Sequence, residues 1–214
     1  MLKDIYTLIT IDDHPLLRKG IADLIDMDES LKLVGEAANG KDGIKLAKEL
    51  NPDLILLDIN MKGMNGLETL KKLKAEDGID SNVLMLTVSD NEDDVVTALR
   101  LGADGYLLKD MEPEDILRSL KRSVEGITVI SERLTQLMAK ALREDAKPPL
   151  EIVGAGLTER EDEILRLITH GLSNKLIARE LDISEGTVKV HVKHLLKKLN
   201  LHSRVEAAVW ALKH

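Results

Sequence analysis

Along the first 125 residues, short apolar runs alternate with stretches in which apolar residues recur at helical spacing. Strands are predicted over 6–11, 31–35, 54–57, 83–86 and 105–108, with helices near 15–26, 40–50, 65–76, 91–101 and 112–124. The runs Leu54-Ile55-Leu56-Leu57 and Val83-Leu84-Met85-Leu86 are apolar at every position, as in strands covered on both faces. Strand followed by helix, five times over, predicts an α/β doubly wound, five-stranded parallel sheet with right-handed crossovers.

The pattern changes after Gly126. Residues 131–143 read as a helix, and 145–156 hold Pro148, Pro149, Gly154 and Gly156, which is linker chemistry. From Leu157 onward the periodicity is purely helical, with helices expected near 159–170, 174–181, 185–199 and 203–212. Thr158 with Glu161 makes a capping box, and Ser173 and Ser184 each precede a fresh helical run as N-caps. The expected organisation is an α/β domain at 1–126, a linker with one helix at 127–156, and a small all-α, four-helix domain at 157–214.

Charge separates the same units. The net charge of −8 conceals 16 Lys and Arg against 26 Asp and Glu in residues 1–130, and 8 against 4 in residues 171–214. An acidic module is thus joined to a basic tail. The absence of cysteine removes disulfides and thiolate chemistry. Tyr6, Tyr106 and Trp210 are the only aromatics, too few for base stacking, so any nucleic acid bound is expected to be duplex DNA. No apolar run approaches membrane-spanning length and the N-terminus lacks a signal-peptide pattern, so a cytoplasmic location is expected.

The residues at the strand ends carry the chemistry. Strand one runs into Asp12-Asp13, strand three into Asp58, strand four into Thr87 and strand five into Lys109. In a doubly wound sheet these ends line one crevice. Carboxylates, a hydroxyl and an ammonium gathered there suit phosphoryl transfer to a carboxylate. The acids hold Mg2+, one acid is the nucleophile, and the lysine neutralises phosphoryl charge.

The segments Ile11-Asp12-Asp13-His14-Pro15, Leu57-Asp58-Ile59-Asn60-Met61-Lys62-Gly63-Met64-Asn65-Gly66, Thr87 and Gly102-Ala103-Asp104-Gly105-Tyr106-Leu107-Leu108-Lys109 resemble a receiver domain, flavodoxin-like in fold. The resemblance implies Asp58 as phosphoacceptor and Asp13 with Asp58 as side-chain Mg2+ ligands. It places Asp12 behind a bridging water and offers the backbone carbonyl of Asn60 to the metal. Thr87 and Lys109 would contact the phosphoryl group, with Tyr106 as the coupled switch aromatic. Lys62 stands where many members have proline, and Asp110 follows Lys109 where many have a cis-proline. Neither departure is expected to touch the chemistry.

On a helical wheel of 184–199, Val188, Val192, Leu195, Leu196 and Leu199 share one face, with Lys189, Lys193, His194 and Lys197 elsewhere. Val190 lies almost opposite the apolar face, where it reads either as a stray surface valine or as a contact to a thymine methyl. Leu157-Thr158-x-Arg160-Glu161, Gly171-Leu172-Ser173-Asn174-Lys175-x-Ile177-Ala178 and Ser184-x-x-Thr187-Val188-Lys189-x-His191 resemble the LuxR-type helix-turn-helix family, the motif falling at about 173–192. On the second reading of Val190, Lys189 and Lys193 reach base edges or phosphates on either side of it, and the resemblance implies phosphate contacts by Asn174, Lys175 and Arg204. Val205, Ala208 and Val209 read equally as a dimer face or as ordinary packing.

Receiver plus LuxR-type domain is similar to the NarL/FixJ-type two-component response regulators, and within them to the nitrate/nitrite regulators. That implies a sensor histidine kinase as phosphodonor, duplex DNA as target, a homodimer on DNA, and RNA polymerase as a further partner. The receiver would occlude the DNA-reading helix until phosphorylated, and the chain would not be an enzyme. An aspartyl-phosphate phosphatase is the competing enzyme reading, but it needs an acid two residues past its nucleophile, and Asn60 cannot serve. A non-DNA interaction module is the other alternative, which the salt dependence of duplex binding discriminates.

Overall fold

A computed structural model describes residues 5–76, 79, 81–88, 92–125, 127, 156–201 and 203–212. The chain divides into two compact units, Met1–Glu125 and Gly126–His214. The linker helix expected at 131–143 lies outside the described residues.

The first unit alternates β1 (Tyr6–Ile11), α1 (Pro15–Ile25), β2 (Leu31–Ala37), α2 (Gly40–Leu50), β3 (Leu54–Asp58), α3 (Gly66–Ala75), β4 (Asn82–Thr87), α4 (Glu92–Arg100), β5 (Gly105–Leu108) and α5 (Pro113–Val124). The strands form one sheet in the order β2-β1-β3-β4-β5, with every neighbouring pair parallel. This is the flavodoxin-like order, which reverses between β1 and β3 and so opens a crevice at their carboxyl ends. Every residue of β3 is buried, as its unbroken apolar run requires.

Local chemistry sets the helix starts. Asn65 accepts from the Glu68 amide while Glu68 reaches back to the Asn65 amide, a reciprocal cap that begins α3 directly after the β3 loop. The Asn39 side chain caps α2 by accepting from the Asp42 amide, and Asn51 ends it in the left-handed region, φ 40°. Pro15 and Pro113 open α1 and α5, where a missing amide hydrogen costs no helical bond.

The second unit contains α6 (Glu159–Thr169), α7 (Asn174–Glu180), α8 (Glu185–Leu199) and α9 (Arg204–Ala211). Thr158 and Glu161 form the expected capping box, and Ser173, Ser184 and Ser203 cap the three helices that follow. Its core joins Ile164, Leu165, Ile168, Ile177, Ala178, Val188, Leu195, Leu199 and Ala207. Burial opposes ionisation of Glu161, yet hydrogen bonds from Lys198 and Thr158 outweigh it and hold its pKa below the usual value. Lys198 Nζ donates to Glu161 Oε2 at 2.6 Å and to the Gly156 carbonyl at 2.9 Å, tying the end of α8 to the start of α6. Among the described residues, no helix is long and apolar enough to cross a membrane.

Candidate functional site: an acidic crevice and a basic helix

The crevice gathers what the strand ends supply. Asp12 and Asp58 are each only 2% exposed, and Thr87, at the end of β4, and Tyr106, on the neighbouring β5, are buried. Lys109 Nζ lies 2.7 Å from Asp12 Oδ2 and 3.0 Å from Asp58 Oδ1, so one ammonium spans both acids. The Lys109 amide donates to the Thr87 carbonyl at 2.8 Å, which anchors the lysine to the end of β4. Asn60 is exposed on the loop after Asp58.

Burial raises the pKa of Asp58, the Lys109 hydrogen bond lowers it, and the nearby Asp12 charge raises it again; the net shift is upward. A buried carboxylate flanked by a second acid needs positive charge to stay ionised. Asp58 Oδ1 faces Lys109 and Asp13 Oδ1 faces His14, whereas Asp58 Oδ2 is buried with no hydrogen-bond partner. Such an orphan is rare in folded proteins and marks a place for an ion. Ligand atoms of Asp12, Asp13, His14 and Asp58 all lie within 4.8 Å of one another, so the residues present fit a hard dication with oxygen ligands.

Four residues act here to which the sequence reading gave no role in the site. The Arg18 guanidinium donates to the Asp12 carbonyl at 2.6 Å, fixing the turn that carries the acids. The Lys62 amide donates to Asp13 Oδ2 at 3.2 Å. Proline, common in the family at this position, has no N–H, so the Lys62 departure does reach the acidic site through its backbone. His14 Nδ1 faces the carboxylates, 3.0 Å from Asp13 Oδ1. Gly66 packs so closely on β3 that an added Cβ would sit 2.1 Å from the Asp58 carbonyl oxygen. The obstacle is backbone and cannot rotate away, so Gly66→Ala is expected to destabilise the chain by about 1–3 kcal/mol. A urea midpoint equal to that of the wild type would contradict that close contact.

In the second unit, α7 and α8 are joined by a turn in which Asp182 adopts φ 52°. On α8, Val188, Leu195 and Leu199 face the core while Lys193, His194 and Lys197 are exposed. Val190 is 52% exposed, a large apolar side chain among cations. Lys189 is half-buried, 3.9 Å from Glu185. Asn174 and Lys175 are half-buried on the first turn of α7. Arg204 donates to the Asn174 side chain at 3.3 Å and to the Leu172 carbonyl, bracing the α6–α7 connection against α9. Val205 and Val209 are buried, and Ala208 is half-buried.

Comparison with known proteins agrees with both units. Residues 8–121 match the family of the response regulator receiver domain, and residues 155–211 match the bacterial regulatory proteins of the luxR family. The chain is 57% identical over 204 residues to the nitrate/nitrite response regulator protein NarL of Escherichia coli (strain K12), covering 95% of this chain and 94% of that protein. Identity to NarP of the same strain is 45% over 205 residues, covering 95% and 93%. Among solved structures, the response regulator ChrA of a heme-sensing two-component system aligns with TM-score 0.53 and 31% identity, over 99% of this chain and 98% of that one. The chain belongs to the response regulators that join a receiver domain to a LuxR-type DNA-binding domain.

Proposed function

We propose that this chain is a phosphorylation-switched transcription regulator in which Asp58 is the phosphoacceptor. The observation that carries this reading is the buried Asp58 carboxylate, with Oδ1 3.0 Å from Lys109 Nζ and Oδ2 left without a hydrogen-bond partner. An Asp58 oxygen attacks the phosphorus of a phosphohistidine on a sensor kinase, the P–N bond breaks, and the imidazole leaves with its electron pair. Lys109 neutralises charge on the transferred group, and the Thr87 hydroxyl donates to one of its oxygens. Asp13 and Asp58, with the Asn60 carbonyl and support from Asp12, would hold Mg2+, which would supply charge neutralisation and orientation. Phosphoryl charge at Asp58 draws in Thr87 and so repositions Tyr106, the switch aromatic.

The receiver spans 1–126, the linker 127–156 and the DNA-binding domain 157–214. The chain works in the cytoplasm and catalyses no reaction on a separate substrate. It answers nitrate or nitrite through its kinase, a reading supported by its similarity to the nitrate/nitrite response regulators NarL and NarP. In the resting chain the receiver occludes the reading helix, a contact favoured by acidic and basic modules of opposite charge. Released, α8 enters the major groove of duplex DNA, with Lys189 and Lys193 beside Val190 and with Asn174, Lys175 and Arg204 at phosphates. Pairing through Val205, Ala208 and Val209 requires that face to be uncovered first, because two of the three are buried. RNA polymerase is the downstream partner.

Salt titration on a random duplex tests the DNA half. Lys189→Ala and Lys193→Ala are each expected to flatten the salt dependence by about one counterion. Val190→Ala is expected to reduce discrimination at a thymine by about 1–3 kcal/mol while changing overall affinity less. A selected site and a scrambled one bound with the wild-type ratio would rule out the methyl contact.

A further inference from the structure

We infer that His14 is a nitrogen ligand of the receiver's cation site, tuning it toward dications that accept imidazole; this rests on the receiver reading above. The His14 amide donates to Asp12 Oδ1 at 2.7 Å, which folds the residue back over the acids. Its Nδ1 then lies 3.0 Å from Asp13 Oδ1, 3.2 Å from Asp12 Oδ1 and 3.9 Å from Asp58 Oδ2. Metal–ligand bonds of about 2.0–2.2 Å place neighbouring ligands about 3 Å apart and opposite ones about 4 Å apart. The distances from His14 Nδ1 to the three acids fall in that range, and ligand atoms of all four side chains lie within 4.8 Å of one another. Asp58 Oδ2, on a side chain only 1% exposed and without a hydrogen-bond partner, supplies the independent sign that an ion belongs there.

The identity of the fourth donor matters to selectivity. Mg2+ takes oxygen ligands and keeps its waters, whereas imidazole suits Co2+, Ni2+ and Zn2+. A site of carboxylates alone has no nitrogen with which to prefer the second group. With His14 it becomes a mixed site, and the imidazole, 65% exposed, can adjust its ring without disturbing the core. The position therefore sets which dication the receiver holds when several compete.

The test uses the full chain at one pH. Dissociation constants for Co2+, read from its visible absorption, and for Mg2+, by competition, are measured for wild type, His14→Ala and His14→Gln. Signal that persists in Asp13→Asn reports the other histidines and is subtracted. Both His14 variants are expected to lower the preference for Co2+ over Mg2+ at least about tenfold, the scale on which even outer-sphere groups change metal affinity. The absorption bands of the loaded chain should also shift. An unchanged preference, or an equal loss for both ions, overturns the inference. Mg2+-dependent labelling of Asp58 in the wild-type chain checks the receiver reading separately, so an unchanged preference alongside normal labelling condemns only the role of His14.

Discussion

Incubated with Mg2+ and a small-molecule phosphodonor, the wild-type chain is expected to gain one phosphoryl group, and Asp58→Asn to gain none. The amide of asparagine is not a nucleophile toward phosphorus, and no other acid in the crevice is placed to replace Asp58. Asp12 is held by Lys109 at 2.7 Å and by the His14 amide at 2.7 Å, so its oxygens are already committed. Asp13 accepts from the Lys62 amide and stands closer to the rim than Asp58. Substitution of a positioned nucleophile removes the covalent route altogether, so the expected effect is loss of labelling rather than a graded decline. Intact-mass measurement reads it directly, and labelling of Asp58→Asn at the wild-type level would remove Asp58 as the acceptor. Lys109→Gln should weaken labelling for a related reason: without the ammonium, burial and the Asp12 charge both push the Asp58 pKa further up.

The second large effect concerns release of the DNA-binding domain. A fragment of residues 150–214 is expected to bind DNA without phosphorylation, and more tightly than the resting full chain. The receiver can shift DNA binding only by the difference in its affinity for the occluded and open arrangements. A coupling of about 2–3 kcal/mol corresponds to roughly 30- to 150-fold, the usual scale between two sites. The fragment is suited to the experiment because the described helices α6 to α9 share one core of their own. A fragment that binds no better than the resting chain would place the switch in dimerisation through α9 instead.

Much of this site was legible from the strand ends, and the reasons for the remainder are specific. The apolar runs located β3 and β4, but both strands continue one residue further than the apolar pattern. Asp58 still pairs with Leu86, and Thr87 with Leu108, because backbone bonding does not depend on the side chain's polarity. The roles of Arg18, of Lys62, which was expected to leave the chemistry untouched, and of Gly66 escaped the sequence for a common reason. Their contribution is a reach to a carbonyl, a backbone amide and the lack of a Cβ, none of which produces a periodic signal. His14 was quoted within a motif, yet nothing in the spacing says that its amide folds it over the acids. On α8 the wheel separated the buried Val188 and Leu195 from the exposed Val190, since a single helix against a core obeys one periodicity. On α9 the same reasoning could not separate a dimer face from packing, as Val205 and Val209 would be apolar in either case; they are buried.

The central claim is that phosphoryl transfer to Asp58 controls DNA binding by the LuxR-type domain. The most direct test is the affinity of the full chain for a duplex selected from a random library, at fixed salt, with and without Mg2+ and phosphodonor. Wild type is expected to bind roughly 30- to 150-fold more tightly when phosphorylated, and Asp58→Asn to bind equally under both conditions. A wild-type affinity unmoved by stoichiometric phosphorylation, or an Asp58→Asn affinity that rises with the phosphodonor, would contradict it.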